Sequence, residues 1–195
     1  GDGEKKNKPL AKTWYEKAAA CGDADSKRIV DSMATSDALN RTSIGAQMYK
    51  AVASFNLGDI GFEYALECFN DALDKSQDLW SPTENDLFQR REIYRYLGMI
   101  TYLGEGDNYL KKSELYYVLG VPMEETKDLR TVVFYAALMD KLKRTTGNKV
   151  YAKKCYDISE KIYTTRYNDI DDDFKGVFLE FIIAEKILGE VYPKD

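Results

Sequence analysis

The sequence contains no histidine among its 195 residues. Histidine is the most common side chain for general acid–base catalysis and the most common nitrogen ligand of metal ions. Its absence excludes Ser-His-Asp and Cys-His active sites within this chain, and it excludes metal sites built on imidazole.

Cysteine is scarce as well, and its three copies, Cys21, Cys68 and Cys155, are far apart in the sequence. They form neither a disulfide framework nor the paired spacing of a zinc site. Each lies in an apolar stretch with helical spacing, and free cysteine behaves as a small hydrophobic residue. We therefore expect buried, reduced thiols with no catalytic role.

Long apolar runs are missing too. The strongest run, residues 131–139, is well short of the ~20 residues that span a bilayer, so no transmembrane segment is predicted. The net charge of −5 argues against nucleic acid as a partner, since phosphate binding needs a positive surface. One basic stretch is interpreted as the solvated surface around a turn; it comprises Lys141, Lys143, Arg144, Lys149, Lys153 and Lys154.

Motifs for phosphate and metal binding do not occur. The glycines at 104 and 106 are followed by neither a phosphate loop nor a dinucleotide fingerprint, and this segment is interpreted as a turn. The acidic run at 169–173 lacks the loop glycine and the distal glutamate of an EF-hand. Acidic residues ahead of a helix are favourable to the helix dipole, which is the simpler interpretation. We predict no catalytic, cofactor-binding or metal-binding residues.

With only 4 prolines and 13 glycines, the chain can form long helices. Apolar residues recur at three- and four-residue steps nearly throughout, and no segment alternates long enough to predict a strand. The pattern predicts an all-α fold with helices near 8–21, 24–39, 42–57, 60–78, 83–103, 107–119, 123–144, 148–166 and 172–191.

Capping signals mark several of these boundaries. Residues 81–84, Ser-Pro-Thr-Glu, predict a capping box in which the serine caps the helix. Asp23 predicts a cap after Gly22, and the proline and two glutamates within 122–125 predict another helix start. Glycines are predicted to separate consecutive helices at Gly58, Gly106 and Gly147.

A small–aromatic–small pattern recurs in three of the predicted helices. Two small residues on one face let a neighbouring helix approach closely, and the aromatic residue fills the space beside the contact. The three sets are Ala65, Phe69 and Ala72; Ser113, Tyr117 and Gly120; and Ala152, Tyr156 and Ser159. Small residues in the preceding helices keep the same spacing to within one residue; they are Ala51, Gly98 and Ala137. This matched phase predicts three antiparallel helix hairpins with the three aromatic residues in equivalent buried positions.

The arrangement resembles the tetratricopeptide repeat (TPR) family, whose pattern includes a leucine–glycine pair in the first helix and Ala-x3-Phe in the second. Leu97 and Gly98 match the first, Ala65 and Phe69 match the second, and the resemblance covers about residues 42–166. The repeats are longer than the ~34 residues of the family, and its closing proline is missing. The resemblance implies a TPR-like superhelix of stacked antiparallel helix hairpins whose concave groove binds a peptide or helix.

In the family, the first helix of each hairpin lines the concave face. The resemblance implies three sets of groove residues at steps of four and three, so that each set shares one helical face. The sets are Met48, Val52 and Phe55; Arg95, Met99 and Tyr102; and Phe134, Leu138 and Lys141. Because only Arg95 and Lys141 are charged, the groove suits an apolar or amphipathic segment. The alternative is that the longer loops cover these residues as ordinary core.

Residues 9–195 are predicted to form a single TPR-like domain. The polar residues 1–8 are interpreted as a flexible tail or a remnant of expression, because the chain begins at Gly1 without a methionine. The helix near 172–191 has an apolar stripe but no following partner helix, so it is predicted to cap the array.

Three hypotheses for function are open at this point. The resemblance favours a non-catalytic scaffold that binds another protein or peptide. The second hypothesis is an envelope accessory protein that binds a small ligand, and the third is a small helical enzyme using carboxylates or a thiol. The lack of histidine disfavours the enzyme. The compartment is open between the cytoplasm and a bacterial envelope reached through a removed signal or lipid anchor, and no cofactor is expected.

Overall fold

The structure, a computed structural model, describes residues 7–104, 106–120 and 128–166. Seven helices account for most of these residues, and none of the described residues lies in a β-strand. The all-α prediction is therefore confirmed. The helices are α1 (Lys8–Ala20), α2 (Ala24–Phe55), α3 (Asp59–Gln77), α4 (Glu84–Gly104), α5 (Tyr109–Leu119), α6 (Leu129–Thr146) and α7 (Lys149–Arg166).

The chain forms two compact units, the first ending at Ile93 and the second beginning at Tyr94. In the first unit, α2 packs against both α1 and α3. In the second, α6 packs against α5 and α7. Helix pairs that are consecutive in sequence are thus packed together in each unit, as expected for hairpins with short connections.

Helix α2 is a single helix where the sequence pattern predicts two, at 24–39 and 42–57. It runs without interruption from Ala24 to Phe55. No proline occurs in this range, and Gly45 lies within the helix, where it lowers helix propensity without ending the helix. Arg41, at the expected break, is held by hydrogen bonds to Asp86 and Ser81. Long-range contacts therefore hold α2 at the position where the sequence pattern predicts a break.

The capping box of α4 differs from the predicted one. Thr83 donates its amide to Asp86 Oδ2 at 2.8 Å, and the Asp86 amide donates back to Thr83 Oγ1 at 3.2 Å. These reciprocal bonds form a capping box that begins at Thr83, two residues later than predicted. The hydroxyl of Ser81, the expected cap, instead accepts a hydrogen bond from Lys12. Because the Ser81 hydroxyl is bound to Lys12 of α1, Thr83 caps α4 in its place.

Other predicted boundaries are confirmed. Asp23 caps α2 by accepting a hydrogen bond from the Ser26 amide at 3.2 Å. Gly58 precedes α3 with φ 70°, and Gly147 ends α6 with φ 67°, a region that glycine enters without strain. The connection between α4 and α5 contains Gly106, as expected.

The small–aromatic–small pattern packs as predicted in α3 and α5 but not in α7. Phe69 and Tyr117 are buried. Tyr156 is half-exposed, and its hydroxyl donates to Glu160 on the same helix. Cys155 is buried in its place, with Sγ 3.5 Å from the Ala136 carbonyl oxygen. A one-residue difference in helix rotation thus places the thiol inside and the phenol near water.

Close approach of small residues occurs within the second unit. Ser113 Oγ donates to the Gly98 carbonyl oxygen at 2.7 Å, which satisfies a buried hydroxyl. The Tyr117 ring lies so close to Gly98 that a Cβ there would be 3.0 Å from it. The pairing of Gly98 with Ser113 that the sequence predicts is therefore a direct contact.

Four further predictions concern the cysteines, the start of α6 and the segment that follows α7. Cys68 and Cys155 are buried as expected, whereas Cys21 is exposed because it follows the last residue of α1. Helix α6 begins at Leu129, capped by Asp128. The start expected within 122–125, the acidic run at 169–173 and the capping helix at 172–191 lie outside the described residues.

Candidate functional site

An open groove of about 630 Å³ lies on the first unit, where one face of α2 meets α1 and the segment before α4. We call it the α1–α2 groove. Six of its residues recur at three- and four-residue steps along α2 and therefore share one helical face. The groove is lined by Tyr15, Asp25, Arg28, Ile29, Ser32, Met33, Ser36 and Trp80.

The apolar part of the groove combines a buried floor with exposed walls. Met33 is buried, whereas the Tyr15 and Ile29 side chains keep 38% and 36% of their surface exposed. Trp80 is half-buried. The rotamer of a half-buried aromatic ring is already restricted by its neighbours. Such a ring can therefore pack against an apolar group of a ligand with little further loss of side-chain entropy.

Trp80 is held in place by a carboxylate from the middle of α2. Asp37 is buried, and its two oxygens accept the backbone amides of Trp80 and Ser81 at 2.7 and 2.9 Å. Hydrogen bonds between a carboxylate and amides are about twice as strong as neutral ones, and they also satisfy the buried charge. The backbone that carries Trp80 is therefore fixed against α2.

Arg41, one helical turn beyond Asp37, anchors the same segment. Its Nη2 donates to the Ser81 carbonyl oxygen at 2.8 Å and to Asp86 Oδ2 at 2.9 Å, and its Nε donates to Asp86 Oδ2 at 3.0 Å. Burial raises the pKa of Asp86, but hydrogen bonds from Arg41 and Thr83 outweigh it and leave this pKa below its ordinary value. The same hydrogen bonding raises the pKa of Arg41. The pair is charged throughout the physiological range.

Helix α1 contributes two lysines to the segment. Lys8 Nζ donates to the Asp78 carbonyl oxygen at 2.9 Å and to its carboxylate at 2.6 Å, and it lies 5.2 Å from the centre of the Trp80 ring. Lys12 Nζ donates to Ser81 Oγ. Groups from α1 and α2 thus hold the segment from both sides, and Trp80 is presented on a rigid support.

The rim of the groove is polar and solvated. Arg28 and Asp25 form an ion pair, and both side chains are largely exposed, so the pair contributes little stability. Ser32 and Ser36 add hydroxyl groups on the same face of α2. The arrangement offers apolar contact and hydrogen bonds, and none of its lining residues is a cysteine or a lysine that could act as a nucleophile.

A second polar cluster lies in the second unit, where Arg95 and Thr131 are buried and Asp128 is half-buried. Arg95 Nη1 donates to Asp128 Oδ2 and to Thr131 Oγ1, both at 2.6 Å, and Thr131 Oγ1 donates to Asp128 at 2.7 Å. The Tyr117 hydroxyl is also buried, and within the described residues it has no hydrogen-bond partner. Burial raises the pKa of Tyr117 well above its ordinary value, so the phenol stays neutral.

Two of the predicted groove residues in the first unit remain partly accessible. Met48 and Val52 are half-buried, and Phe55 is buried with its ring stacked on Phe62 at 5.5 Å. None of these three lines the α1–α2 groove.

The six predicted groove residues in the second unit divide evenly by burial. Three of them, Arg95, Met99 and Leu138, are buried and present no surface to a partner. Tyr102, Phe134 and Lys141 are half-buried and lie together: the Tyr102 ring is 6.3 Å from the Phe134 ring and 5.8 Å from Lys141 Nζ. A partner site at these residues stays a prediction.

Sequence reasoning missed the α1–α2 groove. Its signal was Trp80, one of only two tryptophans, placed directly before the serine–proline pair that ends a loop. The pairing of this loop with Asp37, more than 40 residues earlier, has no local signature. The groove residues of α2 therefore looked like an ordinary helical stripe.

In the described ranges, no helix is both long and apolar enough to cross a membrane. Across the same ranges, no three Cys, Asp or Glu side chains are grouped in a way that could hold a metal ion.

Family models, curated proteins and solved structures yield no match to this chain.

Proposed function

We propose that this chain is a non-catalytic scaffold, built of helix hairpins in a TPR-like superhelix, that binds a peptide or helix of another protein. The α1–α2 groove is its contact surface in the first unit. Paired helices with an open face between them are a common way of presenting such a surface.

The observation that carries the proposal is an open groove with a rigidly held tryptophan. Sites for small molecules usually enclose most of the ligand surface. Here Tyr15 and Ile29 stay more than one third exposed and the Arg28 and Asp25 side chains extend into solvent, so a small ligand would remain wet. An extended peptide or a helix covers such a surface far better. The groove therefore favours a macromolecular partner over the small-ligand hypothesis.

Trp80 is the expected anchor of binding. Aromatic side chains in the centre of an interface often contribute most of the binding free energy, particularly when polar residues surround them. Because Asp37 and Lys8 already hold the Trp80 segment, little further ordering is needed on binding. Arg28 and Asp25 on the rim can select the register of the partner through charge.

The experiment selects binders from a library of displayed peptides against the full chain. We expect selected peptides to carry an apolar or aromatic anchor, and Trp80→Ala to weaken their binding by about tenfold or more, which is ~1.4 kcal/mol. Trp14→Ala is the matched control: this tryptophan is also on the first unit and largely exposed, but does not line the groove. It should leave binding unchanged.

Two results would overturn the proposal. One is a selection that returns no binding peptide. The other is a set of peptides whose affinity falls equally in Trp80→Ala and Trp14→Ala, because binding would then not depend on the groove.

A further inference from the structure

Helix α3 has an exposed face that combines acidic residues with apolar ones. Its five acidic residues are Asp59, Glu63, Glu67, Asp71 and Asp74, and its single basic residue is Lys75. Asp71 is bonded to Lys75 and to Gln47. The other four acids are exposed, and among the described residues none of them forms an ion pair. Lys75 is thus already paired, and the exposed face keeps its negative charge.

The four exposed acids form a row along the helix. Asp59, Glu63 and Glu67 follow one another at steps of four, and Asp74 continues the row about two turns later. At 1.5 Å per residue the row is about 22 Å long. Like charges at such steps repel each other, so the row is unfavourable for the isolated protein. A cationic partner would relieve that repulsion.

An apolar stripe runs beside the row. Ile60 is 93% exposed, Leu57 is 69% exposed, and Tyr64, one turn after Ile60 on the same face, is half exposed. Scattered exposed apolar residues need no explanation, but adjacent ones rimmed by charge are typical of contact surfaces. Ile60 and Tyr64 lie beside the row on the side of α3 opposite its buried residues, and Leu57 is exposed in the turn just before the helix.

The turn before α3 is held by backbone hydrogen bonds. Leu57 donates its amide to the Ser54 carbonyl oxygen at 3.0 Å, and Gly61 donates to the Gly58 carbonyl oxygen at 2.8 Å. The absence of a side chain at Gly61 lets α3 begin in direct contact with the Ser54 carbonyl. Ile60 and Leu57 are therefore held outward by a hydrogen-bonded turn and cannot fold inward without breaking it.

We propose that this face of α3 binds a cationic amphipathic helix of a partner protein, with lysine or arginine on the acidic row and aliphatic residues on the stripe. Charge complementarity gives the orientation, and the apolar stripe supplies contact area that does not depend on salt. The site is separate from the α1–α2 groove, because no residue of the row or the stripe lines that groove.

The test uses a synthetic helical peptide of about 16 residues, long enough to follow the row at ~1.5 Å per residue. It carries lysines at three- and four-residue steps beside leucines, and a second peptide replaces every lysine by glutamate. Titration calorimetry with the full chain should show binding of the lysine peptide and none of the glutamate peptide. The affinity should fall about tenfold or more when salt is raised from low to physiological ionic strength.

Variants separate the two parts of the surface. Glu63→Gln/Glu67→Gln and Ile60→Ser should each weaken binding about fivefold or more, since the first removes charge and the second removes apolar contact. The matched control, Glu16→Gln/Asp31→Asn, makes the same change of charge on α1 and α2 and should leave affinity unchanged. All these residues are exposed, and the Glu16 side chain is about half exposed, so none of the substitutions should disturb the fold. Circular dichroism of each variant checks that the helical content is unchanged.

Several outcomes would overturn the proposal: no binding of the lysine peptide, an equal loss in the control variant, or no loss in Ile60→Ser. Self-association of the chain that disappears in Glu63→Gln/Glu67→Gln would also overturn it, because a second copy would then be the occupant. Trp80→Ala should not affect the lysine peptide, so failure at α3 can be told apart from failure of the α1–α2 groove.

Discussion

Arg41 and Asp86 form a bidentate ion pair between the middle of α2 and the first turn of α4, with Nε of the arginine 3.1 Å from Oδ1 and Nη2 2.9 Å from Oδ2 of the aspartate. Asp86 is only 3% exposed, so its charge depends on this pair and on the Thr83 cap. The same guanidinium holds the Ser81 carbonyl beside Trp80. Arg41 of α2 thus holds both the residue that completes the α4 cap, Asp86, and the backbone next to Trp80.

Asp86→Asn should destabilise the first unit by about 2 kcal/mol at pH 7, because it leaves a partly buried guanidinium without its counter-charge. The folded-state pKa of Asp86 lies below its ordinary value of 3.8. A depressed carboxyl pKa stabilises the fold fully above the unfolded-state pKa, and this stabilisation is lost as the pH falls through the folded-state pKa. The difference in urea midpoint between wild type and variant should therefore narrow below about pH 4.

The control for this prediction is Asp25→Asn, which removes an exposed arginine–aspartate pair of the first unit. Arg28 and Asp25 are both largely exposed, and the free energy of unfolding should change by less than about 0.5 kcal/mol. Equal effects of the two variants, or a difference that does not narrow in acid, would contradict the role assigned to the buried pair.

Gly61→Ala should destabilise the first unit by about 2 to 3 kcal/mol. A Cβ at Gly61 would lie 1.9 Å from the Ser54 carbonyl oxygen, so the start of α3 would have to move away from α2. Gly45→Ala is the matched substitution within a helix, where no atom lies within 4 Å of the added Cβ. It should raise stability by up to about 1 kcal/mol through helix propensity. Thermal melting should therefore give a lower melting temperature for Gly61→Ala and a higher one for Gly45→Ala. Melting temperatures that shift in the same direction would contradict this prediction.

Tyr117→Phe should be neutral or should stabilise the second unit by about 1 kcal/mol. The hydroxyl is buried, and no group in the described part of the chain hydrogen-bonds to it, so its removal relieves a desolvation penalty. Tyr151→Phe is the control, because the Tyr151 hydroxyl donates a hydrogen bond to Glu114 at 3.1 Å. This variant should lose about 0.5 to 1 kcal/mol of the free energy of unfolding. A clear loss in Tyr117→Phe, measured by urea unfolding, would show that the hydroxyl is bonded in solution.

Thiol labelling should separate the three cysteines. Cys21 is exposed and should react within seconds to minutes with a small disulfide reagent, whereas Cys68 and Cys155 are buried and should react only after unfolding. Mass spectrometry of the labelled chain identifies the sites. Rapid modification of Cys155 in the native protein would contradict its place against the Ala136 carbonyl.

Local signals in the sequence predicted most helix boundaries. Asp23 caps α2, and Gly58 and Gly147 stand at helix ends, because capping and positive φ are decided by residues a few positions apart. The pairing of Gly98 with Ser113 followed from the spacing of small residues, since close helix packing requires small side chains at matching heights. The repeat pattern failed at Tyr156, because it does not specify helix rotation to within one residue.

The sequence by itself determined that this protein is helical, contains no histidine, and places Gly98 against Ser113, since these properties depend on composition and on the spacing of small residues. Only the tertiary structure decided that α2 is unbroken and that Trp80 stands over a groove. Both depend on Asp37 and Arg41 reaching a loop some 40 residues away. A buried carboxylate can satisfy any loop amides that packing brings to it. The residue pattern of α2 and that of the Trp80 loop do not predict which amides Asp37 will bind.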